Sequence, residues 1–150
     1  MLITNYTMGT SEYFSELFGA KIVAQKITEE ATFYLFENNV YFVNVNEFTR
    51  VTMDLVNVGY AFIHQNGGGK YLNVFKFDSF SDIDPDVRQW AAGHNDSENN
   101  RHSIVDAIVI SGLSHRILVN FYINTYKPVI PTKVFTDLKK AIEWVNSKRN

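Results

Sequence analysis

Two runs of β-forming residues, Ala31-Thr32-Phe33-Tyr34-Leu35-Phe36 and Val40-Tyr41-Phe42-Val43-Asn44-Val45, flank Glu37-Asn38-Asn39. Phe33 and Leu35 alternate with Thr32 and Tyr34, and the Asn pair tolerates the positive φ of a tight turn, so the pattern predicts a hairpin. Over residues 52–65 the period becomes helical. Met53, Val56, Tyr60 and Ile63 recur at helical spacing, Thr52 can act as N-cap, and Asn66-Gly67 supplies a stop. After Gly67-Gly68-Gly69, residues 70–77 alternate as a strand, and Asp78-Ser79-Phe80-Ser81 forms a turn. Asp84-Pro85 opens a second helix that runs to about residue 92, with Ser81 or Asp82 as its cap. Residues 93–101 are a polar loop.

Ile104-Val105-Asp106-Ala107-Ile108-Val109-Ile110 is mostly apolar, as a strand is when both its faces are covered. A helix capped by Ser111 follows, to about residue 126, where Lys127-Pro128 ends it. Ile130-Pro131-Thr132-Lys133-Val134-Phe135 is a short strand whose Pro marks a sheet edge or a strand start. The last helix, over 137–147, places Leu138, Ala141, Ile142 and Val145 on one face. Thr136 is its cap, and Lys148-Arg149 suit its C-terminal end. Residues 1–28 are less regular: a poorly defined N-terminal arm, or a short helix over 11–18 with Phe14, Leu17 and Phe18 as its apolar side and Gly19 as its stop.

The resulting order, β-β-α-β-α-β-α-β-α, belongs to the α/β class. A leading β-hairpin followed by alternating helices and strands predicts a mostly parallel mixed sheet with covering helices, joined by right-handed crossovers. No internal repeat or linker divides the 150 residues, so one domain is expected across 1–150.

Composition then narrows the function classes. The net charge is −2 with no basic stretch, which argues against nucleic-acid binding. Cysteine is absent, which removes disulfides, thiolate metal sites and Cys nucleophiles. Neither a secretory signal nor an apolar run of about 18 residues is visible, so a cytoplasmic protein without a membrane span is expected. Aromatic residues make up 15% of the chain, and that surface has to go into a core, an interface or a pocket.

The stretch Asn120-Phe121-Tyr122-Ile123-Asn124-Thr125-Tyr126-Lys127-Pro128-Val129-Ile130-Pro131-Thr132-Lys133-Val134-Phe135-Thr136-Asp137, closing with Ala141-Ile142-Glu143-Trp144-Val145, resembles the STAS-like small bacterial proteins of the Bacteroidetes type. These are labelled STAS/SEC14-domain proteins of unknown function. Asp106-Ala107-Ile108-Val109-Ile110-Ser111-Gly112-Leu113-Ser114-His115-Arg116 is similar to that group's strand-to-helix junction, and Ala31-Thr32-Phe33 to its first strand. The resemblance covers roughly residues 30–147 and is specific in the last third. It implies the fold of the anti-sigma factor antagonists, in which a Ser at the start of the second helix, within Asp-Ser-Ser-Gly, is phosphorylated by a partner kinase. Here that place reads Phe77-Asp78-Ser79-Phe80-Ser81-Asp82: Asp78-Ser79 is retained, while the second Ser and the Gly are not.

Ser79 and Ser81 are accordingly the phosphorylation candidates, because a phosphate near a helix start meets free N–H groups. Asp78, Asp82, Asp84 and Asp86 would repel it, and capping is the simpler role. Ser111, His115 and Arg116, preceded by Asp106, are the ligand or anion candidates, at the strand end where open α/β sheets bind ligands. A nucleophile elbow, G-x-S-x-G, is absent there. Gly67-Gly68-Gly69-Lys70 departs from a phosphate loop, since Tyr71 follows the Lys and the order is helix then strand. His94, Asp96, Glu98 and His102 share a polar loop without ligand spacing, so neither a metal nor a cofactor is expected. The expectation is therefore a non-enzymatic regulatory or protein-interaction module with an unidentified protein partner. The alternative is a carrier for a small apolar or lipid-like ligand. An interaction module calls for an exposed apolar patch and a carrier for an enclosed apolar pocket; a homodimer is compatible with either.

Overall fold

The computed structural model describes residues 2–78, 81–91, 101–112, 119, 123–124 and 127–149, with the first seven of these described by backbone alone. In chain order the elements are α1 (Leu2–Phe18), β1 (Ile22–Ile27), β2 (Ala31–Phe36), β3 (Val40–Val45), β4 (Arg50–Val51), α2 (Met53–Gln65), β5 (Tyr71–Lys76), β6 (Asp82–Ile83), α3 (Pro85–Ala91), β7 (Ser103–Val109), β8 (Thr132–Phe135) and α4 (Leu138–Ser147). Six strands form one sheet in the order β1-β2-β3-β5-β7-β8, while β4 and β6 make a separate parallel pair. β1, β2 and β3 run antiparallel, and each step from β3 to β8 is parallel. The α/β class and the mostly parallel mixed sheet expected from the sequence are thus both present.

Strand alternation divides the apolar residues into two sets, one for each face of the sheet. Tyr34, Phe36, Phe42, Leu72, Val74, Val105 and Ala107 pack against Phe14 and Phe18 of α1 and Ala141, Ile142 and Val145 of α4. Phe33, Leu35, Tyr41, Val43 and Tyr71 face the other way, against Leu55, Phe62 and Ile63 of α2 and Val87 of α3. Two stacked layers of helix on one sheet explain why β5 and β7 are buried on both faces.

The predicted hairpin has the boundaries its pattern gave, and Asn39 takes the positive φ of the turn at 68°. Its side-chain amide donates to the Lys70 carbonyl at 2.6 Å, tying the hairpin to the start of β5. Three expectations are corrected. Residues 1–28 are not an arm: the helix expected over 11–18 is present with Phe14, Leu17 and Phe18 on its apolar side and ends at Gly19 with φ 67°, but it starts at Leu2 as the 17-residue α1, and the edge strand β1 follows it. Strand β1 is missed by its pattern because most of its residues are exposed, so no alternation marks it. The last helix is capped by Asp137 and not Thr136, since the Asp137 side chain accepts from the Lys139 N–H at 2.9 Å. Finally, β6 intervenes before α3, which starts at Pro85, so neither Ser81 nor Asp82 caps it. The Asp84 carbonyl instead accepts from the Arg88 N–H at 3.1 Å.

Candidate functional site

Gly59 sets the spacing between α2 and the sheet. A Cβ there would lie 2.5 Å from the Tyr41 hydroxyl and 3.2 Å from the Phe33 ring, so only glycine lets the helix come this close. Beside this contact the two layers part. A cavity of about 190 Å³ lies between the sheet face and α2 and α3, with Tyr41, Val43, Phe75, Ile63, Tyr60 and Trp90 among its walls. Tyr60 and Trp90 meet edge to face at 5.4 Å, joining α2 to α3.

One line of residues interrupts this apolar face. Tyr41, Asn73, Asp106 and Thr132 are successive partners across β3, β5, β7 and β8, and all four line the cavity. Asn73 is 3% exposed and Asp106 is 6% exposed, so both need internal partners. The Asn73 amide supplies them, donating to Asp106 Oδ1 at 2.9 Å and to Ser103 Oγ at 2.7 Å. Ser103 and Asp106 are three positions apart and would face opposite ways in a regular strand. An irregularity between Tyr71 and Leu72, opposite Ser103 and Val105, puts them on the same face.

Both Asn73 amide hydrogens are thereby used, and its Oδ1 is left buried without a donor among the described residues. Turning the amide over would set that oxygen against the Asp106 carboxylate, which fixes the orientation. The Tyr41 hydroxyl likewise has no hydrogen-bond partner among the described residues; burial pushes its pKa far above the ordinary tyrosine value. On α3, Arg88 Nε is buried without an acceptor among them. The space is thus mostly apolar with a few polar residues, Asn73, Ser103, Asp106 and Arg88, among its walls, which is the composition of a small-molecule site.

Of the residues singled out in the sequence, Ser81, Asp82, His102 and Asp106 line the cavity. Ser81 is 3% exposed, and its hydroxyl donates to the Asn46 carbonyl at 3.1 Å and to Asp78 Oδ1 at 3.4 Å. It also lines the cavity. Ser79, His115 and Arg116 lie outside the described residues, as do Phe121, Tyr122, Tyr126, His94, Asp96 and Glu98. Ser111 is exposed just past β7. His102 packs its ring on Tyr60 and His64, with Nδ1 2.7 Å from the Gly69 carbonyl. Among the described residues no group of three potential ligands converges on a metal position. The polar row had one sequence signal: Asn73 between Leu72 and Val74, and Asp106 between Val105 and Ala107, each put a polar side chain where a central strand is otherwise apolar.

The sequence model of a family described as Domain of unknown function (DUF7793) matches residues 33–149, from β2 to beyond α4. The chain belongs to this family. The matched region holds the whole polar row and all the cavity walls among the described residues, while α1 and β1 lie outside it. No curated protein and no solved structure matches the chain. The family's description assigns it no activity, so function has to be argued from the site. No helix among the described residues is long and apolar enough to cross a membrane.

Proposed function

We propose that this domain is a non-enzymatic binding module that takes a small, mostly apolar ligand between its sheet and the helices α2 and α3. The observation that carries this reading is the cavity of about 190 Å³, walled by apolar and aromatic side chains around a short polar row. A partly open recess of this size and apolar lining suits a small ligand. The sequential strand order from β3 to β8 supports a STAS-like fold, and in that setting ligand binding has a regulatory use. A filled cavity would stabilise the α2–α3 layer and so change what its outer surface presents. Protein partnering alone has less support: Tyr13, Val23, Ile27, Phe48 and Val129 are exposed, but they are spread over α1, β1 and two loops.

Native mass spectrometry on the full chain, purified from its own host without refolding, tests the reading. A bound small molecule that is lost on denaturation is the expected result. A clean chain that also shows no thermal shift with a panel of one-ring apolar compounds would sink it.

A further inference from the structure

We propose that two copies of this chain associate through β1, whose free edge pairs antiparallel with itself about Gln25 and joins the two sheets. The cavity takes no part in this, so it stands independently of the ligand-binding reading. β1 ends the six-stranded sheet and pairs with β2 on one side. The Thr28 N–H donates to the Ala31 carbonyl at 2.9 Å, and Lys26 and Ala24 share its phase in the ladder with β2. The alternate residues Gln25 and Ile27 therefore direct their N–H and C=O groups away from the sheet. Because Ala24 points its N–H at β2, the Val23 carbonyl in the same trans peptide unit points outward as well. An outward row of this kind is a template for another strand. The side chains agree: Val23 is 62% exposed and Ile27 is 60% exposed. At the opposite edge, β8 has four residues, follows Pro131 and carries Lys133, all of which discourage pairing.

The occupant is a second copy because this edge is complementary to itself. A two-fold axis with Gln25 opposite Gln25 sets Val23 opposite Ile27 and Lys21 opposite Glu29, each of them twice. Gln25 then exchanges backbone bonds with its own copy, and each Ile27 N–H reaches the Val23 carbonyl of the other chain. The two exposed apolar residues cover each other, and both charged ends meet the opposite sign. Lys21 and Glu29 are exposed, and neither makes an ion pair within the chain among the described residues. Lys26 falls opposite the small Ala24, away from its own copy. Neighbouring registers lose this match. An axis at Ala24 sets Ile27 against Lys21, and an axis at Lys26 brings two lysines face to face. The irregularity of β1 with β2 lies between Ile22 and Ala24, so Gln25 and Ile27 are beyond it.

Sedimentation velocity on the full chain over a concentration series tests this, with circular dichroism to check that each variant folds. The expected result is a reversible monomer–dimer equilibrium. Ile27→Pro removes an N–H that faces away from β2, which an edge strand tolerates, and should abolish the dimer. Lys21→Glu and Glu29→Lys each set like charges opposite one another twice per dimer, and each should weaken association by about tenfold. Mixing these two variants in equal amounts should restore it, because one copy is then acidic at both positions and the other basic. Recovery on mixing reports the antiparallel register and would not follow from a structural effect of either change. A chain that stays monomeric at every concentration overturns the proposal and leaves the edge to an extended segment of another protein. A dimer that survives Ile27→Pro also overturns it, by placing the interface elsewhere. Failure of the mixed variants to recover overturns the register about Gln25, and the proposal with it.

Discussion

At Gly59 two opposite effects meet on one carbon. Alanine is favoured over glycine inside a helix by about 1 kcal/mol, but here its methyl would sit 2.5 Å from the Tyr41 hydroxyl and 3.2 Å from Phe33. Overpacking a core costs about 1–3 kcal/mol, so Gly59→Ala should lower the denaturation free energy by roughly 1 kcal/mol net. Chemical denaturation of the two chains checks this. A gain in stability would mean that the Tyr41 ring swings into the cavity at no cost. The sequence at this position shows only a glycine within a helical pattern, and the reason for it lies on another strand. The same holds for the polar row. Asn73 and Asp106 were visible as anomalies, but their pairing depends on the register of β5 with β7 and on the irregularity at Ser103. Single-residue chemistry is legible in one dimension; which residues it meets is not.

Elements were legible in proportion to how one-sided their burial is. The hairpin, α2, β5, α3, β7 and α4 all carry apolar residues at a fixed period because one or both faces are covered, and each falls within a residue or two of its expected bounds. Strand β1 lacks that signal, since it lies at a sheet edge with Val23 62% exposed and Ile27 60% exposed. Helix α1 carries its signal in Phe14 and Phe18, whose rings contact Phe42 at 5.0 Å and 4.8 Å and close one face of the sheet. Element ends are finer still. Thr136 and Asp137 both have capping side chains, and only the geometry selects Asp137. Removing a cap costs about 1 kcal/mol, so Asp137→Ala should lose about that much while Thr136→Ala stays within about 0.5 kcal/mol of the unsubstituted chain. Thermal denaturation of both variants decides between the two caps, and a larger loss for Thr136→Ala would return the role to Thr136.

For the molecule as a whole, the question is whether the layer between the sheet and α2–α3 is dry. Two tyrosines of this face, Tyr41 and Tyr71, report on this through their titration, while Tyr34 faces α1 and α4. Burial raises the pKa of Tyr34, Tyr41 and Tyr71 above the ordinary value of 10.0, most of all for Tyr41. In the unfolded chain each phenol loses its proton near pH 10, whereas in the folded chain it keeps it to higher pH. Above pH 10 the unfolded state therefore binds fewer protons than the native state, and stability falls as pH rises. Below pH 10 both states hold the proton and no dependence arises from these groups. For one such group the slope is about 1.4 kcal/mol per pH unit. Tyr41→Phe removes that group without removing any hydrogen bond seen among the described residues, so the variant should match the unsubstituted chain near neutral pH. Between pH 10 and 11, where the unfolded phenol goes from half to mostly ionised, it should lose about 1 kcal/mol less, as read from urea midpoints across that range. Equal slopes would show that the Tyr41 hydroxyl ionises in place, which requires water beside it. The cavity would then be a hydrated recess opening to solvent, from which a mostly apolar ligand would have to displace water. A reduced slope in the variant means the opposite: a layer dry enough to hold the Tyr41 phenol neutral against the external pH, as the seat of a mostly apolar ligand has to be.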